Sequence, residues 1–255
     1  ALIPAWEKRF SFRFATGLYY QSPFYQEMRD TIVDPSGNVK VHLNEDIKSQ
    51  RSVHFVLGGD HYFRAWGRPF KFTTEAYLKL ADNVITYSVD NVNVSYSGKN
   101  DAETYTAGID FKLFGELVPG TDSWINFSLM QSRERFTKDT YNLGWMPRPN
   151  ESRYAFSMLF QDYLPNNPQY KMHLKFIWSD GLPFGVPRSV HQRVVGRAPD
   201  YKRVDIGISR VLASGSDKFM SRPFFKHIDN IWLNFEIFNL LDFRNVNSYY
   251  WISDV

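Results

Sequence analysis

The chain has 255 residues, a formal net charge of +3 and no cysteine. This length suits one large domain or two small ones, and so small a charge does not by itself point to nucleic acid. Without cysteine, the chain excludes disulfides, thiolate metal sites and cysteine catalysis. Aromatic residues make up 17% of the chain and charged residues 22%, which is the composition of a folded protein rather than a disordered one.

The sequence predicts no transmembrane helix. Its longest apolar run, Tyr249 to Ile252, is far shorter than the roughly 20 residues that a spanning helix needs. The first four residues also lack the basic and apolar regions of a signal peptide. A membrane β-barrel remains compatible with the low mean hydropathy of −0.40, because alternating apolar and polar residues average out.

Alternation of apolar and polar residues is the strongest pattern along the chain, and it predicts β-strands. It begins at Phe10, Phe12 and Phe14 and is most regular over 70–80 and 105–117. About eleven segments show it, most of them about 8–14 residues long, which suits strands that cross a bilayer at a tilt. In chain order they lie near 8–20, 48–62, 69–82, 87–97, 102–117, 122–135, 152–163, 169–180, 200–211, 230–241 and 247–255. Helical patterning is weak, and only 21–31 could hold one turn.

The connections between these segments are of two kinds. Asp82-Asn83 and the stretch 97–100 have the composition of tight hairpin turns. Four other connections are long, which is unusual in a compact soluble domain but typical of the outer rim of membrane barrels. These long connections are 21–47, 136–151, 181–199 and 212–229.

Charged residues on the polar side of the alternation are candidates for the inner wall of a barrel. They carry both signs, so pairing across strands in a hydrated lumen is the simplest interpretation, and contact with a plug or substrate is the functional one. The candidate lumen-facing residues are Lys71, Glu75, Lys79, Asp110, Lys112, Glu116, Arg203 and Asp205. The basic loops 181–199 and 212–229 add candidate contacts to an anionic ligand or lipid at Arg188, His191, Arg193 and Arg197.

The C-terminal third carries a recognisable series of motifs. Arg203-Val-Asp-Ile-Gly207 is followed by Glu236-Ile-Phe-Asn-Leu-Leu-Asp242 and then by Asn245 and Tyr249. This series resembles the late barrel strands of TonB-dependent outer-membrane receptors. The stretches 17–25 and 179–185 are similar to the Bacteroidetes branch of that family.

This resemblance implies an all-β, antiparallel transmembrane β-barrel in the bacterial outer membrane. Residues 1–255 would supply about eleven of its about 22 strands, as the C-terminal half of the barrel. The plug domain, the TonB box and the last strand of the family are absent from the sequence, so we expect it to be a part of a receptor. A half-barrel has two unpaired edges and cannot span a bilayer by itself.

The function that the resemblance implies is active transport of a large nutrient such as a siderophore, a peptide or a glycan. TonB would act through the absent plug, outer-membrane lipid would surround the barrel, and a surface lipoprotein is a possible partner. Neither enzyme activity, nor a cofactor, nor a metal site, nor nucleic-acid binding is expected.

Two alternatives remain open. An outer-membrane hydrolase predicts a Ser/His/Asp or Asp/His cluster at one rim. A soluble carbohydrate-binding sandwich predicts that Phe111, Phe235 and Ile237 pack in a core, whereas the barrel predicts an exposed stripe at Phe70, Phe72 and Leu78.

Overall fold

The computed structural model describes residues 9–33, 39–90, 93–164, 166–186, 189, 192, 194–214, 227–246, 249 and 252. Within these ranges the protein is made of strands and one four-residue helix. The elements in chain order are β1 (Phe10–Gln21), α1 (Tyr25–Met28), β2 (Arg29–Val33), β3 (Val39–Leu43), β4 (Gln50–Ala65), β5 (Arg68–Asp90), β6 (Asn93–Val118), β7 (Thr121–Phe136), β8 (Met146–Pro147), β9 (Tyr154–Leu164), β10 (Asn167–Ser179), β11 (Pro183–Phe184), β12 (Gly196–Arg197), β13 (Tyr201–Ser214) and β14 (Asn230–Ile237).

Ten strands form a single antiparallel sheet. Its order is β1-β4-β5-β6-β7-β9-β10-β13-β14, with the short β8 paired to β7. The pairs β2–β3 and β11–β12 form two small separate sheets. Among the described strands β1 and β14 do not pair with each other, so the sheet is open rather than closed into a barrel. The prediction of an all-β antiparallel fold is confirmed.

The strand registers sort the side chains onto two contrasting faces. We call one the apolar face, since in the middle of the strands it carries mainly Phe, Leu, Ile, Val and Met; we call the other the polar face, since it carries most of the charged side chains. From β1 to β14 the apolar face includes Phe12, Leu57, Phe72, Phe111, Phe127, Phe156, Phe176, Ile206 and Phe235. The polar face includes Arg13, Asp60, Glu75, Asp110, Ser128, Ser157, Lys175, Asp205 and Glu236.

The apolar face is largely uncovered. Leu57 keeps 58% of its surface exposed, Phe235 62% and Ile237 41%. Leu78 is exposed and Phe72 and Phe111 are partly exposed, as an open apolar stripe requires. Phe235 and Ile237 therefore do not pack in the core that a sandwich predicts.

Phe70 contradicts the expectation of an exposed stripe, since it is only 5% exposed. Its ring stacks on Phe63 and meets the edge of Trp66, with centroids 5.6 and 5.9 Å apart. On the neighbouring strand Gly115 has no side chain, and the Phe70 ring lies over its backbone. Local aromatic packing at the end of the strand thus covers a side chain whose position in the alternation predicted exposure.

The strands of the sheet begin and end along two opposite borders, which we call edges, and the two differ in the connections between strands. At one, the turn edge, two-residue turns join β4 to β5, β6 to β7 and β9 to β10. Positive φ angles of 75° at Gly67, 78° at Gly120 and 63° at Asn166 are consistent with tight turns. At the opposite edge, the loop edge, the connections 22–49, 137–153 and 180–200 are long.

The described ends of the basic loops 181–199 and 212–229 lie at opposite edges of the sheet, and not on one common rim. The chain leaves β13 at Ser214 and enters β14 at Asn230 on the turn edge, whereas 180–200 lies at the loop edge. The reason is that only β13 lies between the two connections, so one precedes the start of that strand and the other follows its end. The predicted strand at 247–255 falls almost wholly outside the described residues.

The tight turns predicted at Asp82-Asn83 and 97–100, and the separate strand predicted at 87–97, are wrong. Both turn sequences lie inside the long strands β5 and β6, which continue as a hairpin to Asp90 and Asn93. Asp82 and Asn83 together oppose the single residue Glu103, which is the pattern of a β-bulge. Asn83 and Gly98 adopt φ angles of 53° and 69°, so the same conformational tolerance that allows a turn here allows an irregular strand.

The loop 22–49 packs at the base of this hairpin. It includes the predicted turn of helix, which the structure confirms as α1. The side-chain amide of Asn100 donates hydrogen bonds to the backbone oxygens of Lys48 at 2.9 Å and Asn83 at 2.6 Å. Val84 and Ile85 are buried beside it. Because α1 has only four residues, no helix in the described ranges could cross a membrane.

Gly108 is a position where the polar face has no room for a side chain. A Cβ atom there would lie 2.7 Å from the backbone oxygen of Leu129 and against the Tyr77 ring, which lies over Gly108. We expect Gly108→Ala to destabilise the folded protein by about 1–3 kcal/mol, since the Leu129 backbone has to shift. Gly59→Ala is the control, because its Cβ would make ordinary contacts no closer than 3.5 Å. Denaturant unfolding of both variants checks this, and equal losses would contradict it.

Candidate functional site

The polar face carries all eight candidate lumen-facing residues. The registers place those of β5, β6 and β13 on this one side of the sheet. Glu75 lies directly opposite Asp110, and Lys112 opposite Thr73. Glu116 accepts a long 3.5 Å hydrogen bond from the Gly120 backbone.

Asp60 is the centre of the best-defined charge cluster on this face. It accepts hydrogen bonds from Thr73 at 2.7 Å and Ser11 at 3.3 Å, and it pairs with Arg13 and with Lys71 at 3.3 Å. The cluster joins three neighbouring strands, β1, β4 and β5, through one carboxylate. Lys71 is among the residues that the sequence predicts to face the lumen, and Asp60 is not, although its position in the alternation of β4 could have identified it.

Arg203 and Asp205 contact each other and the residues that follow β14. Asp205 is 1% exposed, and its carboxylate accepts hydrogen bonds from Arg203 Nε and from the backbone of Asn239, both at 3.0 Å. The guanidinium of Arg203 also lies over the Phe238 ring, 5.7 Å from its centroid. The pair therefore fastens the turn after β14 to the sheet, which gives both residues a clear structural role.

Arg197 is the one described member of the candidate loop contacts; Arg188, His191 and Arg193 lie outside the described residues. Its guanidinium binds the carboxylate of Glu151 and, at 2.8 Å, that of Asp180. It also donates to the backbone oxygens of Glu151 and Gly181, each at 3.1 Å. These contacts hold the loop 180–200 against the loop 137–153.

Arg197 belongs to a larger ion-pair network at the loop edge, which the sequence did not reveal. Four arginines and three buried carboxylates lie there, on the two loops and the end of one strand, β7. Ion pairs link Arg133, Glu151, Arg197, Asp180 and Arg153, and Arg148 pairs with Glu134. Arg153 contacts Asp180 through two bonds of 2.7 and 2.9 Å, and Glu151 accepts a 3.0 Å hydrogen bond from the Ser132 backbone. We call this set the rim network: Arg133, Arg148, Arg153, Arg197, Glu134, Glu151 and Asp180.

The rim network makes a pH-dependent contribution to stability. Burial opposes ionisation of Asp180, but bonds from the Arg153 side chain and backbone and the charge of Arg197 outweigh it, so the pKa of this carboxyl lies below 3.8. A carboxylate with a depressed pKa stabilises the folded state above the ordinary pKa and loses that effect as pH falls through the folded one. We expect stability to fall below about pH 4 and the fall to be smaller in Asp180→Asn. Thermal unfolding between pH 2 and 6 checks this; identical profiles would assign the fall to other groups.

A cleft of about 520 Å³ lies where the polar face meets the loop edge. Its floor is formed by the ends of β1, β4, β5 and β6, and α1 and Arg148 lie at its sides. Tyr87 and Tyr96 face each other across the β5–β6 hairpin, with centroids 6.0 Å apart. The Tyr19 ring packs on His54 at 4.5 Å.

The cleft also holds the described Ser–His pair that most resembles the hydrolase prediction. Ser52 Oγ lies 3.0 Å from Nε2 of His54. Within the described ranges no carboxylate forms a hydrogen bond to the other ring nitrogen, so these two residues lack the third member of a triad. No group of three potential metal ligands occurs in the same ranges.

Comparison with known proteins adds no family to this description. No protein-family model matches the chain, and no curated protein matches it.

Proposed function

We propose that this chain forms part of the wall of an outer-membrane β-barrel receptor that takes up a large nutrient with energy from TonB. The observation that carries the proposal is the continuous apolar face, which runs from β1 to β14 with large exposed side chains opposite a polar face. In a soluble protein so large an apolar surface would have to be covered. In an outer-membrane barrel it faces lipid, and the polar face lines the lumen.

The height of the apolar face supports this proposal. On β5 it extends from Phe70 to Leu80, ten residue steps, or about 33 Å along the strand at about 3.3 Å per residue. At a strand tilt of about 40° this corresponds to a band of about 25 Å, the height of the apolar band in outer-membrane barrels.

The border of the band at the loop edge also suits a bilayer interface. Directly beyond Leu80 the apolar face carries exposed ion pairs, Arg51 with Asp82 at 3.0 Å and Arg135 with Glu103 at 2.8 Å. Aromatic residues stand at the same level with polar partners. Trp145 contacts Tyr105 and Arg135, while Tyr154 and Trp178 both donate hydrogen bonds of 2.9 Å to Asp200. Amphipathic rings of this kind are enriched where hydrocarbon meets water.

The connections between the strands and the two outermost strands are consistent with a sheet that forms part of a barrel wall. Three of the four connections at the turn edge are two-residue turns, the pattern of the periplasmic side, and the fourth, from Ser214 to Asn230, is longer. The loop edge has the long connections of the outer side. The outermost strands β1 and β14 would need further strands paired beside them, since backbone N–H and C=O groups in lipid must be hydrogen-bonded. TonB would act on a plug inside the completed barrel, and the loops would meet the nutrient, with or without a surface lipoprotein partner.

Single cysteines test the orientation, since the chain has none of its own. In the full-length protein in cells, Ile109→Cys lies on the apolar face and Asp110→Cys on the polar face. We expect a lipid-soluble thiol reagent to label the first and a charged maleimide to label the second. Labelling of Ile109→Cys by the charged reagent, in a protein recovered without detergent, would refute the membrane wall.

The transport step needs its own measurement. Uptake of a candidate nutrient by cells with and without TonB tests the coupling, using a strain in which the whole receptor is the only route of entry. Uptake that is unchanged without TonB would refute active transport but would not contradict the proposed barrel.

A further inference from the structure

The cleft at the loop edge has the features of a built ligand site. Its volume of about 520 Å³ falls in the usual range of small-molecule pockets, about 300–1,000 Å³. It combines aromatic ring faces with charged and amide side chains on the same surface. The ring of Tyr19 is 54% exposed and that of Phe24 is 63% exposed, so both have faces available to a ligand.

The charges of the lining favour an anion. The lining residues include the cations Lys79 and Arg148 and the carboxylate of Glu27. Arg51 also lines the cleft, but its position in β4 places its side chain on the apolar face, where it pairs with Asp82. Glu27 is buried, and its two oxygens already accept hydrogen bonds from the Phe24 backbone at 2.8 Å and from Gln50 at 3.4 Å. Its negative charge offsets one of the two cations, so Lys79, Arg148 and Glu27 together leave the lining with a formal net charge of +1.

Lys79 is the cation most available to a ligand. Arg51 pairs with Asp82 and Arg148 with Glu134, both of which lie outside the lining. Lys79 has no carboxylate partner within ion-pair distance in the described ranges. It stands next to His54 on the neighbouring strand, on the polar face. A carboxylate bound there would gain a charge-assisted hydrogen bond.

The polar groups around Lys79 point to a sugar rather than a flat aromatic acid. Gln21, Ser52 and Thr104 place amide and hydroxyl groups in the lining, beside the rings of Tyr19 and Tyr96. Sugar rings present C–H faces that pack on aromatic rings, and their hydroxyls pair with amides and hydroxyls. We propose that this cleft binds the acidic sugar units of an oligosaccharide, with Lys79 contacting the carboxylate. This inference rests on the proposed transport function and names its substrate class.

Binding of defined sugars to the purified full-length protein in detergent tests the inference. The probes are digalacturonic acid and its neutral counterpart galactobiose, and calorimetry measures the dissociation constants. We expect the acidic sugar to bind about ten-fold more tightly or better, because only it can pair with Lys79. Equal affinities, or no binding of either sugar, would overturn the proposal.

Variants separate Lys79 from the other lysines of the polar face. Lys79→Gln should remove the preference for digalacturonic acid and leave galactobiose binding unchanged. Lys112→Gln changes the same charge on the same face outside the cleft lining, so it should keep the preference. An equal loss in both variants would mean a general effect of charge and would overturn the site.

A third variant tests the contribution of the rings. Tyr96→Leu should weaken both sugars several-fold, since it removes a stacking surface and leaves Lys79 in place. All of these measurements are made in detergent and are independent of uptake. A failed sugar assay alongside the expected cysteine labelling would therefore refute this inference and leave the barrel proposal standing.

Discussion

Phe127→Arg is expected to destabilise the full-length protein in lipid vesicles by about 2–4 kcal/mol, the cost of an arginine near the bilayer midplane on a barrel's outer surface. Phe127 lies in the middle of the apolar face, opposite Phe111 on β6 and Phe156 on β9. An arginine there would have to leave its charge in hydrocarbon or draw water into it. Equilibrium unfolding in urea, starting from vesicles, measures the loss.

Ser128→Arg is the matched control for this substitution. Ser128 is the next residue along β7 and lies on the polar face, opposite Asp110. Its arginine would reach water and a carboxylate, so we expect a change within about 1 kcal/mol. A polar face turned to lipid would reverse the order of the two variants, and a sheet with water on both sides would make them alike. Either result would contradict the proposed orientation.

The second large effect is expected at the rim network, where Glu151→Ala should cost about 3–5 kcal/mol of folding free energy. The Glu151 side chain has no exposed surface and interacts with Arg133 at 3.4 Å as well as with Arg197. Removing it takes the carboxylate partner from Arg133, leaves Arg197 paired with Asp180 alone, and takes away the acceptor for the Ser132 backbone. Unfolding of the purified protein in detergent measures the loss.

The Glu103–Arg135 pair provides the comparison, since Arg135 lies only two residues from Arg133 along β7. Its side chains are 42% and 46% exposed, so Glu103→Ala should cost only about 0–1 kcal/mol. Hydrogen exchange should show the loss in Glu151→Ala concentrated in 137–153 and 180–200, the loops that the network joins. A loss in Glu151→Ala no larger than that in Glu103→Ala would mean that water reaches the network.

Alternation was a reliable guide to the strands in which one face is apolar, such as β5 from Phe70 to Leu80 and β6 from Tyr105 to Leu113. There, period-two spacing reports directly on which face a side chain occupies. The alternation gave wrong strand boundaries where β5 and β6 extend beyond their neighbouring strands. Residues 84–90 and 93–101 pair with each other beyond the ends of the neighbouring strands. Asn83 and Gly98 permit bulges there, and local composition does not distinguish a bulge from a turn.

The alternation of apolar and polar residues does not predict the rim network or the cleft. Glu151 and Arg197 are far apart in sequence and meet only because two loops return to the same edge of the sheet. The cleft similarly depends on how α1 and Arg148 approach the strand ends. The alternation places Lys79 on the polar face, but whether a carboxylate lies near it, as none does among the described residues, depends on the fold.

The contrast between the two edges determines where this protein tolerates insertions. The two-residue turns at Trp66-Gly67 and Pro119-Gly120 fix the register of their hairpins, so one extra residue there would exchange the apolar and polar faces of everything paired beyond it. An extra residue at an exposed loop position outside the rim network, such as next to Thr140, would mainly lengthen a loop, at a small entropic cost. Sequence variation should therefore accumulate at such exposed loop positions, and the proposed receptor could acquire a new ligand without re-pairing a single strand.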